Sequence, residues 1–303
     1  MIPDGRIHIV EVVRGAPAAA SHRGVILRLV RQLLAVAAVW ILGNLGTAAV
    51  KDNPWLALVA GLLTAVVGVL VYGWVVRRTE HRAPVEVSLK GAGAGISWGT
   101  LLGIALFGAV IANIAFFGDY TINGLGTPAS AVALLGIMAG AAVTEELVFR
   151  GVLFRNVERW TGTWIALVLT GSLFGLIHLL NANATVWGAI AIAIEAGGML
   201  TAAYIATRKL WVPIGLHFGW NIAASAIFST EVSGSNTAQG LLDATISGPA
   251  LITGGDFGPE ASVYAVVLGV LATGVFMWLA YRRGHVVPVR RSARADVAAR
   301  LSR

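Results

Sequence analysis

Eight apolar runs recur along nearly the whole chain, over 32–50, 55–76, 96–117, 129–149, 164–180, 185–206, 211–229 and 261–281. Each lies near the ~20 residues a helix needs to cross the hydrocarbon of a bilayer, the fifth and seventh being short. Helices are the predicted element, because backbone facing lipid must satisfy its own hydrogen bonds within the segment. The runs are continuously apolar rather than alternating, which argues against a β-barrel. The predicted fold class is all-α: a polytopic helical membrane protein of about eight transmembrane helices. Residues 1–31 read as a cytoplasmic N-terminal segment, 32–281 as the transmembrane bundle and 282–303 as a basic cytoplasmic tail.

Composition agrees. Of 303 residues, 57% are hydrophobic and 12% charged, and mean hydropathy is +0.78, against about 25% charged in ordinary soluble domains. The formal charge of +7 would suit nucleic acid, but its distribution instead follows the membrane. With the N-terminus inside, every Lys and Arg except Lys51 falls on the cytoplasmic side, Arg150 included. The opposite side receives the long connection 230–260, which carries Glu231, Asp243, Asp256, Glu260 and no base. This predicts an N-in, C-in multi-pass protein of the cell membrane, with the lipid bilayer as partner and no nucleic acid. The basic tail is read as a topology determinant. No cysteine is present, so disulfides and thiolate metal sites are excluded. The first twenty residues contain Asp4 and Glu11 and no apolar core, unlike a cleavable signal peptide.

Against this apolar background, a few polar groups stand out, and ionisable groups in hydrocarbon usually mark function. Glu145 and Glu146 are adjacent in the run ending at Arg150, and point ~100° apart on a helix. Glu146 and Arg150 are i,i+4 with the acid first, which suits an ion pair; we read that pair as mainly structural, near the cytoplasmic edge. Glu145 is left facing elsewhere, as a candidate general base. His178 and His217 are the two histidines inside apolar segments; His8, His22, His81 and His285 lie outside them. Phe174 precedes His178 by one turn, and Asn221 follows His217 by one turn. The imidazole and amide on one face can donate to an oxyanion. Gly-x-x-x-Gly pairs at 136/140, 171/175 and 215/219 occur in the same three segments. This spacing lets helices approach closely, so spans four, five and seven are expected to form a tight inner cluster. The glycine run 91–95 reads as a flexible lead into the third span. Glu195 is a further intramembrane acid, given no catalytic role.

The ordered set Glu-Glu-x-x-x-Arg at 145–150, Phe-x-x-x-His at 174–178 and His-x-x-x-Asn at 217–221 resembles the CAAX-protease and bacteriocin-processing (Abi) family of intramembrane proteases. The run Trp-Val-Pro-Ile-Gly-Leu-His-Phe-Gly-Trp-Asn, 211–221, is especially similar to that family's third motif. The resemblance covers roughly 125–230 and resembles the type II CAAX prenyl endopeptidases. It implies an intramembrane endopeptidase acting on a membrane-associated protein or peptide. Glu145 would activate a water assisted by His178, His217 and Asn221 would stabilise the oxyanion, and Glu146 and Arg150 would support them. Glu145, His178 and His217 could also supply three zinc ligands with water as the fourth. His-Glu-x-x-His is absent, and the expectation leans to metal-free hydrolysis. Two other functions fit buried Glu and His: a proton-coupled transporter, which should show an inverted repeat, and a non-catalytic partner that binds transmembrane segments.

Glu145 lies toward the cytoplasmic end of its predicted span, and the active site is expected in the cytoplasmic half. His178, however, is some ~20 Å along the next helix at ~1.5 Å per residue. Either span four is longer and tilted, extending toward Glu158, or span five is short and the 181–183 link dips into the bundle.

Overall fold

The computed structural model describes residues 22–117 and 119–289. The expectations for residues 1–21 and 290–303, including most of the N-terminal segment and basic tail, lie outside the described residues. Helix α1 spans His22–Ala49, α2 Pro54–Glu80 and α3 Ala92–Phe116. Strand β1 (Tyr120–Leu125) leads to α4 (Pro128–Glu146), which continues without a break through a π-helical stretch, Leu147–Phe154, into α5 (Arg155–Thr161). Next come α6 (Thr163–Ile177), ending in a 3-10 turn His178–Leu180, α7 (Val186–Thr207), α8 (Trp211–Ile222), β2 (Leu242–Ile246), the short α9 (Ala250–Thr253) and α10 (Val263–Arg282).

Local chemistry starts several of these helices. Asn53 accepts from the Trp55 and Leu56 amides ahead of Pro54 at the first turn of α2, and Thr185 and Ser262 cap α7 and α10 in the same way; such caps satisfy otherwise orphaned N–H groups. Gly91 adopts φ +77° at the start of α3, so the glycine run is a helix start and first turns rather than a flexible lead.

Seven helices are long and apolar enough to cross a membrane, the fourth running continuously over Pro128–Thr161. The eighth expected span, 211–229, is instead the 12-residue α8 followed by a π turn, Ala223–Ile227. It can be short because protein surrounds it: nearly all its residues, from Trp211 to Ile222, are buried. By contrast Leu34, Leu63, Leu101, Val168 and Leu271 are exposed on the outer helices, where lipid is the natural solvent.

The principal pairings are α3 with α8, α2 with α4, α7 with α10, α6 with α7 and α1 with α2. Glycines set three of them, though not the ones expected. A Cβ on Gly215 or Gly219 would lie 2.3 or 2.1 Å from the Ile96 or Thr100 carbonyl of α3. The matching glycines of α3, Gly99 and Gly103, meet the α8 backbone in return. Gly136 packs on Leu58 and Gly61 of α2, and Gly175 on Ala189 and Ala193 of α7. Each repeat therefore seats its helix on a different neighbour, rather than joining spans four, five and seven to one another.

The two ends of the bundle are built differently. At one end Glu80 takes Arg155 in a two-pronged pair (2.6 and 2.7 Å) and also Arg82 and Arg159. Arg82 bridges on to Glu86, Arg208 pairs with Glu158, and Lys209 reaches the Val85 carbonyl. The segment after α10 docks here through Thr163 and Val287. At the other end β1 and β2 form an antiparallel pair, Tyr120 opposite Ile246 and Leu125 opposite Leu242, with an irregularity between Ile122 and Gly124. The 230–260 connection lies at this end, tied to the 181–183 link by Asn183 N–H to the Gly234 carbonyl and the Asn181 amide to the Ser233 carbonyl.

Candidate active site

The long helix Pro128–Thr161 resolves the mismatch in depth. Glu145 sits sixteen residues before its end at Thr161, about 24 Å at 1.5 Å per residue, and so near the middle of the bundle. His178 ends α6 after fifteen residues, Thr163–Ile177, about 22 Å from the same basic end. The first alternative, a longer span four, is the one found. The cavity around these residues reaches toward the end that carries β1, β2 and the 230–260 connection, through Asn181, Val232, Ser233 and Ser235. Arg150 is likewise not an edge residue. Charged positions 150, 155, 158 and 159 make this stretch look like a helix end, yet each finds a partner inside the protein.

The Glu146–Arg150 pair is fully buried, at 0% and 1% exposure with N–O 2.7 Å. It does more than neutralise a carboxylate. Glu146 Oε1 also meets His217 Nδ1 at 3.0 Å, so the residue read as mainly structural holds one of the two histidines. Arg150 in turn donates to the Ala196 carbonyl (2.9 Å) and the Thr201 hydroxyl (3.2 Å) of α7 and stacks over Phe174 at 4.5 Å. Phe174 lies beside His178 (ring centroids 4.9 Å) and edge-on to His217 (6.1 Å), filling the space between the two. His178 Nδ1 is engaged by the Phe174 carbonyl at 2.7 Å.

Each histidine therefore keeps Nε2 for the cavity. His217 Nε2 lies 3.9 Å from Glu145 Oε2, a gap that one water can bridge. Glu145, His178, His217 and Asn221 line a single cavity of about 520 Å³, together with apolar side chains of α1, α4 and α6 and the loop residues Val232, Ser233 and Ser235. The site residues expected from sequence thus meet: four at the cavity wall, with Glu146 and Arg150 behind His217.

Sequence reasoning missed two features. Glu260, left in a loop, is buried; it accepts from the Trp220 indole (2.9 Å) and the Ser233 hydroxyl (2.8 Å), pinning the cavity-side loop to α8 beside Asn221. Burial raises its pKa, against the lowering effect of these hydrogen bonds. The second is the pair of π-helical stretches immediately after Glu146 and after Ile222. Such insertions often accompany functional sites, and no residue pattern announces them.

The zinc expectation can be tested on the donors. Among the described residues, no group of three or more His, Asp or Glu side chains is arranged to hold a metal ion. Glu145, His178 and His217 line the same cavity and form no such group.

Fold and site together define a polytopic helical membrane protein with a carboxylate–histidine centre inside its bundle, the class to which intramembrane hydrolases belong. Residues 127–223, about a third of the chain, match the family model described as type II CAAX prenyl endopeptidase Rce1-like. All three motifs fall within that stretch, and the match supports a membrane-embedded protease of the CAAX type. No curated protein and no solved structure matches the chain.

Proposed function

We propose that this chain is an intramembrane endopeptidase of the cell membrane that hydrolyses a peptide bond with a water activated by Glu145. The observation that carries this reading is the 3.9 Å gap between Glu145 and His217 Nε2, with Glu146 fixing the other ring nitrogen. Glu146 accepts the Nδ1 hydrogen and sets the orientation of the ring, as a carboxylate behind a catalytic imidazole does elsewhere. A water between Glu145 and His217, steadied by His178 Nε2, gives up a proton to the Glu145 carboxylate as its oxygen attacks the peptide carbonyl. The carbonyl oxygen becomes an oxyanion. The Asn221 amide, and His217 when its ring carries both protons, donate to it. Collapse breaks the C–N bond, and the proton held by Glu145 passes to the departing amine, which leaves the carboxylate ready for another water. No step calls for a metal. The Glu146–Arg150 pair behind His217 is shut off from bulk water, which strengthens its hold on the ring.

The test uses purified full-length protein in liposomes with a membrane-anchored peptide substrate. Glu145→Ala is expected to lower cleavage by at least about 10²–10⁴-fold, the usual contribution of a general base, while the protein stays folded. A variant that cleaves at the parent rate would refute the assignment.

A further inference from the structure

We infer that the active-site cavity opens on the extracytoplasmic face, so that the substrate is a membrane-anchored polypeptide presenting its scissile bond on that side; this rests on the endopeptidase reading. Three observations lead there. First, the cavity wall is made from one end of the bundle. Its polar residues beyond the catalytic groups are Asn44, Asn181, Ser233 and Ser235, and Asn181 and Ser233 belong to the end that carries β1 and β2.

Second, the other end is closed. Below Glu146 the π-helical stretch is buried at seven of its eight residues. Beneath it lies the network of Glu80, Arg82, Glu86 and Arg155, joined by the Tyr72 hydroxyl to Glu86 and to the Gly151 carbonyl. The Leu210 N–H donates to the Glu86 carbonyl, which seats the start of α8 directly on that network. The helix runs a further sixteen residues past Glu145 to Thr161, about 24 Å, and none of them lines the cavity.

Third, charge distinguishes the ends. Among the described residues, Arg77, Arg78, Arg82, Lys90, Arg159, Arg208 and Lys209 lie at the closed end, whereas Lys51 is the lone base at the open one. Basic residues gather on the cytoplasmic side of short loops, so the closed end faces the cytoplasm. The open end carries Asp119, Glu231, Asp243 and Asp256, which repel acidic segments. The cavity wall itself offers Trp40, Ile137, Met138, Ile177, Leu180 and Val232. The segment that fits is extended, apolar, and neutral or basic where it leaves the membrane.

The chain contains no cysteine, so single cysteines report sidedness without background. Ser235→Cys marks the exposed cavity mouth and Lys90→Cys the exposed closed end. Full-length protein in intact cells is treated with a membrane-impermeant maleimide, before and after permeabilisation. Labelling of Ser235→Cys from outside, at least ten times faster than Lys90→Cys, is expected, with Lys90→Cys reacting fully only after permeabilisation. Reversed labelling, or equal labelling of both positions, overturns the inference. The readout does not depend on catalysis, so Glu145→Ala in each background should label identically. Two anchored peptides, with the scissile bond on one face or the other, then separate the two readings. Cleavage confined to the outer peptide supports both. Outer labelling with neither peptide cut leaves sidedness standing and counts against the protease.

Discussion

Removing Glu146 separates what holds the bundle together from what drives the chemistry. In Glu146→Ala the Arg150 guanidinium loses its 2.7 Å partner while remaining buried at 1% exposure. The Ala196 carbonyl, the Thr201 hydroxyl and the Phe174 face still contact it, but neutral dipoles do not cancel a charge. Breaking a fully buried pair by deleting one member costs about 3–5 kcal/mol, and both residues are deep enough that solvent screening offers no discount. The same substitution strips His217 of its Nδ1 acceptor. The ring can then turn, and Nε2 loses its aim at the gap beside Glu145; loss of one oriented oxyanion donor costs about 10²–10³-fold in turnover.

A double variant, Glu146→Leu with Arg150→Met, parts the two effects. Apolar replacement of a whole buried pair is about neutral or stabilising, so thermal unfolding of the purified protein should return to the parent value. Cleavage should stay down by about 10²-fold or more, because leucine cannot hold His217. Glu146→Gln keeps a carbonyl acceptor at the same position and is expected to retain more activity than the double variant. Should the double variant be both stable and fully active, Glu146 would serve only as the counter-ion of Arg150, and the orienting role argued here would be wrong.

Four further outcomes are expected. Gly219→Ala places a Cβ 2.1 Å from the Thr100 carbonyl, so α3 and α8 must separate; unfolding temperature and cleavage should fall together, while Gly108→Ala, with nothing within 4 Å, leaves both unchanged. Asn221→Ala is expected to lower kcat about 10²–10³-fold with little change in KM, read from steady-state kinetics in liposomes. Chelator treatment should leave cleavage intact and elemental analysis should find no stoichiometric zinc, as expected where Glu145, His178 and His217 form no metal-holding group. For Glu86, burial raises the carboxyl pKa, but the Arg82 hydrogen bonds and the Arg155 charge outweigh it and hold the value below the ordinary range. The stability it adds is therefore present above the unfolded value near ~4.3 and is lost as pH falls through the folded one; Glu86→Gln should flatten that acid limb in a pH series of unfolding temperatures.

Much of the fold could be read from hydrophobic runs, and the reasons for the failures are specific. Hydropathy ends a span where charges begin, so 150–159 read as cytoplasmic edge; in the structure Arg150, Arg155 and Glu158 are paired inside the protein, and the helix runs on to Thr161. An apolar run also looks the same whether lipid or protein surrounds it, so α8 passed for a full span. The β1–β2 pair joins segments more than a hundred residues apart, which leaves no local signal. Within the site, the residue types were legible because each is costly in hydrocarbon. Their partners were not: Glu146 reaches His217 across 71 positions, and only the i,i+4 contact to Arg150 could be seen along the chain. Gly-x-x-x-Gly marked tight packing correctly, but a motif on one helix does not name the helix it meets.

The cost of placing two glutamates, an arginine and two histidines inside a bilayer also explains the unequal construction of the two ends. The proposed mechanism needs water at Glu145, yet each buried charge needs isolation from stray water to hold its geometry. The bundle meets both demands by position along one helix. Toward Thr161 Arg150 pairs with Glu146 and Arg155 with Glu80, which closes that end with paired charges. Toward Pro128, the side chains of Met138 and Ala141 leave the cavity open beside Glu145. A single step along the helix therefore divides Glu145, which faces the cavity, from Glu146, which is buried against Arg150 and His217. Two adjacent glutamates meet unlike surroundings because they point ~100° apart across that boundary.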